Sequence, residues 1–81
     1  MVKPTQVTNS IRALRFAQSE MTQADLADRI GVTRQTVIAI EQGRYSPSLE
    51  SAFRISRVFG VGVEEVFGWK EDVRRAPSKK K

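Results

Sequence analysis

The chain has 81 residues and a formal net charge of +5 at pH 7. A chain of this length makes one domain with a marginal core, which a second stabilising surface such as a dimer interface would help. It contains no cysteine and no histidine, which excludes disulfide scaffolds, thiolate chemistry, the usual zinc sites and histidine acid-base catalysis. These absences disfavour most enzymes, and we expect no cofactor.

No apolar run approaches the roughly 20 residues of a membrane span, and residues 1–6 lack the apolar stretch of a signal peptide. We therefore expect a cytoplasmic protein with no membrane partner. The positive charge lies in the ends of the chain, because residues 8–69 hold seven arginines against seven acidic residues. Any argument for nucleic-acid binding must therefore rest on where individual residues lie.

The first predicted helix follows an N-terminal arm. Residues 1–7 contain Pro4 and no hydrophobic period, so we expect them to be flexible. Thr8 or Asn9 is positioned to cap a helix that extends to about Ser19.

Residues 21–43 predict two short helices joined by a glycine turn. Thr22 and Asp25 have the spacing of a capping box, and Gly31 ends the first of these helices. Thr33 is positioned to cap the second, which runs to about Gln42 and is stopped by Gly43. Four side chains of this second helix are predicted to face away from the core: Arg34, Gln35, Ile38 and Ala39.

Two further helices are predicted before a basic tail. Pro47 prevents a continued helix and Ser48 is positioned to cap a fourth one that ends at Gly60. Its predicted apolar side comprises Leu49, Ala52, Phe53, Ile55, Ser56 and Phe59. A short fifth helix starts after Gly62. Residues 70–81 have the composition of a disordered tail. We expect an all-α fold, with five helices of residues 8–69 around one core.

The order of these pieces resembles the Xre, or lambda-repressor-like, family of helix-turn-helix DNA-binding regulators. The resemblance runs from about Asn9 to Phe67 and rests on IRALR, TQADLADRIGV, TRQTVIAIEQGRYSPSLE and FRISRVFGVGVEEVF. It implies that the second and third helices form the helix-turn-helix and that the third lies in the major groove of double-stranded DNA.

The resemblance implies that the start of the third helix reads bases. Arg34 can donate a bidentate pair to guanine and Gln35 can bond adenine. Thr33 either caps the helix alone or also contacts DNA. Ile38, with Ala39 beside it, either contacts a thymine methyl group or packs partly on its own core.

Phosphate contacts are expected on both sides of this helix. Two candidates, Thr22 and Gln23, begin the second helix, and the family's glutamine at this place clamps a phosphate and can brace a glutamine on the reading helix. The other candidates are Thr36, Gln42, Arg44, Tyr45 and Arg12. Tyr45 could instead cover the core beside Pro47, and Thr36 could make a local hydrogen bond. Arg15 could pair with Glu41 rather than contact DNA.

Several apolar residues suggest contact with another chain. The candidates for a two-fold interface are Phe16, Val66, Phe67 and Trp69. Alternatively, Phe16 and Trp69 pack together and hold the tail. The tail itself is a solvated end, an expression remnant or an arm that adds nonspecific DNA affinity.

The predicted function is a sequence-specific transcriptional regulator, a dimeric repressor that reads a palindromic operator. The alternative is an antitoxin or other protein-interaction module whose main partner is a protein. An enzyme is the least supported reading, because no nucleophile-base pair or metal cluster is present.

Overall fold

The computed structural model describes residues 5–70, which form five helices and two short strands. The helices are α1 (Ile11–Ala17), α2 (Gln23–Ile30), α3 (Arg34–Glu41), α4 (Leu49–Phe59) and α5 (Val63–Val66). The strands are β1 (Val7–Asn9) and β2 (Phe67–Trp69). The expected five-helix fold with a helix-turn-helix at α2 and α3 is confirmed.

The start of α2 is fixed by the predicted capping box. The Asp25 backbone N–H donates to the Thr22 hydroxyl at 2.9 Å, and the Thr22 backbone N–H donates to the Asp25 carboxylate at 3.2 Å. Both bonds satisfy amide groups that a helix start leaves without partners. The helix ends at Gly31, whose φ of 77° lies in the left-handed region that favours glycine.

The same kind of local signal sets α3 and α4. The hydroxyl of Thr33 accepts from the Thr36 N–H at 3.1 Å, and that of Ser48 accepts from the Ser51 N–H at 3.0 Å. These two caps are confirmed. They orient α3 and α4 at their first turns, which determines the side chains that face outward.

The first helix is shorter than expected. Its N-cap is Ser10, which makes no side-chain capping bond, whereas the Asn9 side chain accepts from the Ile11 N–H at 3.1 Å. It ends at Ala17, two residues before the expected Ser19. Ser19 and Glu20 have φ of 60° and 57°, so the chain leaves the helical conformation there.

The predicted apolar side of α4 is only partly correct. Ala52, Ile55 and Phe59 are buried, but Leu49 is 73% exposed and Phe53 is 52% exposed. One face of a helix in so small a domain meets the core, and Leu49 and Phe53 are one turn apart on a different face. Two large apolar side chains therefore lie at the surface.

A two-stranded antiparallel sheet, which the sequence did not predict, joins the two ends of the described chain. Val7 pairs with Trp69, Thr8 with Gly68 and Asn9 with Phe67. Val7 therefore lies in a strand rather than in the expected arm. Most of that arm and nearly all of the expected tail fall on residues 1–4 and 71–81, which lie outside the described residues.

The core is built mainly from α2, α3 and α4, closed by one residue from each of α1 and α5. Its most buried large side chains are Ile11, Leu26, Ile30, Val37, Ile55 and Val66. Burying an aliphatic side chain of this size contributes about 1.5–3 kcal/mol. In residues 5–70 no helix is long and apolar enough to cross a membrane.

We predict that the α2 cap makes stability depend on pH. The hydrogen bond from the Thr22 backbone N–H, followed by that with the Thr22 side chain, lowers the pKa of Asp25 below its ordinary value of 3.8. A lowered folded-state pKa stabilises the fold above the unfolded pKa, and this contribution is lost as pH falls through the folded pKa. Asp25→Asn keeps an acceptor but removes the charge, so it should lower the urea midpoint at neutral pH and have little effect in strong acid.

Urea unfolding, monitored by circular dichroism at neutral and at strongly acidic pH, would measure the midpoint under each condition. Asp28→Asn is the matched control, because Asp28 is an exposed α2 carboxylate outside the capping box. An equal destabilisation by Asp25→Asn at neutral and strongly acidic pH would show that the charge has no role.

Candidate nucleic-acid interface

The first turn of α3 presents three consecutive polar side chains to solvent. Thr33, Arg34 and Gln35 are exposed, whereas Val37 and Ile40 are 1% and 2% exposed and anchor the opposite face. Thr36, Ile38 and Ala39 are half-buried. The polar N-terminal end of α3 is therefore open to solvent, whereas the side chains of the next turn are only partly accessible.

The hydroxyl of Thr33 is engaged within α3. It accepts from the Thr36 N–H and lies 3.0 Å from the Thr36 hydroxyl. The expected capping role of Thr33 and the local bond of Thr36 are thus confirmed. The methyl group of Thr33 remains available for apolar contact.

An ion pair connects the far end of α3 to α1. Arg15 Nε lies 2.6 Å from Glu41 Oε2, and Arg15 Nη2 donates to Glu41 Oε1 at 3.1 Å. The two side chains are only 8% and 10% exposed. Arg15 Nη1 also donates to the Met21 carbonyl at 2.8 Å. Arg15 therefore pairs with Glu41, the alternative that the sequence offered to a DNA contact.

The same carboxylate holds Gln23 at the start of α2. Gln23 Nε2 donates to Glu41 Oε1 at 3.2 Å. Its partner on α3 is thus an acid, and not the glutamine that the family resemblance suggested for the third helix. The sequence indicated that Glu41 could pair with Arg15, but not this second role of Glu41, which depends on a contact between residues 18 positions apart.

A further contact fixes the end of α3. Asn9 Nδ2 donates to the Ile40 carbonyl at 2.9 Å, and this carbonyl also accepts from the Gly43 backbone N–H at 3.1 Å. The strand β1 therefore supports α3 directly. This role of Asn9 was not predicted.

The segment after α3 carries further exposed candidates. Gln42, Arg44 and Tyr45 are all exposed, and Tyr45 is 51% exposed. Arg44 Nε donates to Gln42 Oε1 at 2.9 Å across the left-handed turn at Gly43. The Arg44 guanidinium keeps other N–H donors for a ligand.

Residues from three helices line one surface. A shallow groove is bordered by Arg12, Phe16, Thr22, Gln23 and Arg34, and an adjoining groove by Arg12, Phe16, Gln23 and Gln42. We call the surface formed by these two grooves the α1–α3 surface. It brings together candidates that are up to 30 positions apart in sequence.

The expected dimer candidates do not form one exposed patch. Val66 is 1% exposed and belongs to the core, so it cannot contribute apolar surface to an interface. Phe67 is half-buried and packs against the core. Trp69 and Phe16 are 46% and 54% exposed. Val66 is therefore a wrong candidate, because it closes the core from α5.

Comparisons with known proteins agree with this geometry. A family model described as helix-turn-helix matches residues 11–66. An HTH-type transcriptional regulator of Methanocaldococcus jannaschii is 52% identical over 56 residues, which cover 69% of this chain and 85% of the relative. The HTH-type transcriptional regulator YgzD of Bacillus subtilis is 45% identical over 64 residues, covering 79% of this chain and 94% of the relative.

Two more distant comparisons extend the result. The cryptic phage CTXphi transcriptional repressor RstR of Vibrio cholerae is 34% identical over 59 residues, which cover 73% of this chain and 52% of RstR. The crystal structure of a putative DNA-binding protein from Bacteroides fragilis superimposes on this chain with a TM-score of 0.67. The match covers 76% of this chain and 98% of that chain at 19% sequence identity, so it supports the fold alone. The chain belongs to the Xre-like helix-turn-helix family of transcriptional regulators, a class of DNA-binding proteins and not of enzymes.

Proposed function

We propose that this protein is a homodimeric transcriptional repressor that reads a palindromic operator in the cytoplasm. The observation that carries the proposal is the exposed run of Thr33, Arg34 and Gln35 at the N-terminal turn of α3. Beside it lie side chains from α1 and from the start of α2 that can donate hydrogen bonds to DNA phosphates. A helix in the major groove reads base edges with side chains at this end.

Each exposed side chain of α3 suits a base contact. The guanidinium of Arg34 presents paired donors that match the two acceptors of guanine, and the Gln35 amide matches adenine. Thr33 uses its hydroxyl within the helix, so it offers its methyl group to thymine. The partly accessible Ile38 and Ala39 would extend this apolar contact by one turn.

Phosphate contacts would fix how α3 lies in the groove. Gln23 uses one amide N–H on Glu41, and its second N–H can donate to a phosphate oxygen. Arg44 can do so on the other side of α3, as Arg12 can from α1. The remaining candidates for backbone contact are Thr22, Thr36, Gln42 and Tyr45.

Dimerisation is proposed because one α3 helix covers only a few base pairs. Two copies would place their α3 helices about 34 Å apart, one turn of DNA. Trp69 is one of the two expected interface residues that remain well exposed, and it lies in an edge strand of the two-stranded sheet. Repression is supported by the similarity to RstR, which is a transcriptional repressor.

A second candidate function is binding to a different protein. The exposure of Leu49, Phe53 and Trp69 favours it, because large apolar side chains at a surface commonly mark association sites. An antitoxin-like regulator would use such a surface for its partner and DNA only for autoregulation.

Selection of random double-stranded DNA on the purified protein tests the proposal. We expect enrichment of a palindrome with half-sites about 10 base pairs apart. Arg34→Ala should then lose about 1–3 kcal/mol of operator binding, roughly fivefold to 150-fold in affinity, and relax the preference at one guanine per half-site.

Arg57→Ala is the matched control, since it removes the same charge from an exposed position on α4. A loss on Arg34→Ala that is equal for all DNA sequences would contradict base reading. No enriched sequence would favour the protein-partner function.

Sedimentation equilibrium of the free protein tests the dimer. Trp69→Ala should weaken self-association by at least tenfold, because truncating a large aromatic side chain at an interface commonly costs about 2 kcal/mol or more. Phe53→Ala is the control, with a similar exposed fraction on α4. A dimer lost only on Phe53→Ala would move the interface to α4, and a monomer at all concentrations would contradict dimerisation in solution.

A further inference from the structure

Phe16 is an aromatic side chain exposed among charged groups. Phe16 is 54% exposed, and two arginine side chains approach its ring. The guanidinium carbon of Arg12 lies 5.5 Å from the ring centroid and that of Arg15 lies 5.7 Å from it. Both distances are within the range of about 6 Å in which a cation is attracted to an aromatic ring.

The ring lies on the α1–α3 surface. Both grooves of this surface include Phe16 together with Gln23, and one of them also includes Arg34. Phe16 is therefore a neighbour of candidate DNA contacts from α2 and α3. This position makes it a poor choice for a dimer interface, because a second copy there would cover Gln23.

The two arginines beside Phe16 differ in their freedom. Arg15 is buried and bound by both Glu41 and the Met21 carbonyl. Arg12 is exposed, and it is one turn before Phe16 on the same face of α1. The ring thus rests against a fixed guanidinium and offers Arg12 a surface that limits its rotamers.

The charges on the first groove suit a polyanion. Arg15 and Glu41 neutralise each other, and the other charged residues lining this groove are Arg12, Arg34 and Glu20. The balance is positive by one charge and resides at the exposed arginines. A free arginine side chain loses up to about 2 kcal/mol of conformational entropy when it is fixed on a ligand. A side chain that is already ordered loses less.

We propose that Phe16 is a positioning residue that holds the Arg12 guanidinium in place for a phosphate of the DNA backbone. This role rests on the proposed DNA-binding function. It assigns to Phe16 a purpose other than self-association, and it makes the α1 contact a preorganised pair instead of a single flexible charge.

A double-mutant cycle on the selected duplex tests this role. Affinity would be measured against salt concentration for the natural protein, Arg12→Ala, Phe16→Ala and the double variant. Arg12→Ala should weaken binding to all sequences equally and reduce the salt dependence by about 0.9 log units per log unit of salt, the effect of one phosphate contact. Phe16→Ala should weaken binding several-fold, as part of the loss seen for Arg12→Ala. In a protein that already carries Phe16→Ala, adding Arg12→Ala should cost less affinity than it does in the natural protein.

Two conservative variants separate the aromatic surface from simple packing. Phe16→Tyr should retain affinity, whereas Phe16→Leu should lose it, because a leucine cannot attract the guanidinium. Phe53→Ala is the matched control with a similarly exposed ring on α4. Thermal unfolding of each variant checks that the fold is retained, which is expected for an exposed ring.

Additive effects of Arg12→Ala and Phe16→Ala on affinity would overturn the proposal. The proposal would also be overturned if the Phe16→Ala variant became monomeric while the affinity of each monomer for DNA stayed unchanged. If the natural protein binds no duplex at all, the proposed function fails and this role falls with it. A natural protein that binds its operator, beside a Phe16→Ala variant that binds equally well, defeats the role of Phe16 alone.

Discussion

The ion pair between Arg15 and Glu41 joins the segments that carry the candidate DNA contacts. Arg15 connects α1 to the end of α3 and to the Met21 carbonyl just before α2, while Glu41 also accepts from Gln23 at the start of α2. Removing one partner of such a buried pair leaves an uncompensated charge and costs about 3–5 kcal/mol. A small domain has about 5–15 kcal/mol of stability in all. Loss of one partner alone would therefore remove much of the domain's stability, and the pair also fixes the relative placement of α1, α2 and α3.

These contacts hold α3 to its surroundings at both ends. The N-terminal end of α3 is fixed by the Thr33 cap, and its C-terminal end by Glu41 and by the Asn9 amide on the Ile40 carbonyl. Rigid placement matters for recognition because side chains that must be ordered on binding reduce affinity. The side chains left free, above all Arg34 and Gln35, are those whose donors match base edges. Under the proposed function, the buried face of α3 stabilises the fold and its exposed face recognises DNA.

The sequence predicted the local features of this fold well and the non-local ones poorly. The capping box at Thr22, the glycine turn at Gly31 and the Ser48 cap depend on residues a few positions apart, so their patterns are visible in the sequence. The two three-residue strands have too few positions for an alternating pattern and pair across the whole domain. For Leu49 and Phe53, helical spacing allowed more than one inward face, and the packing of neighbouring helices decided it. The contact of Gln23 with Glu41 likewise depends on how two helix ends meet.

The most direct test of this account replaces the whole ion pair by apolar side chains. Substituting both partners of a buried pair often leaves stability nearly unchanged, so Arg15→Met with Glu41→Met separates folding from binding. We expect a cooperatively unfolding domain whose affinity for its operator is lower by about tenfold, or ~1.4 kcal/mol, because Gln23 has lost its carboxylate partner. Adding Gln23→Ala should then cost less than it does in the natural protein. A folded double variant that binds its operator with unchanged affinity would contradict the claim that this pair positions the DNA contacts.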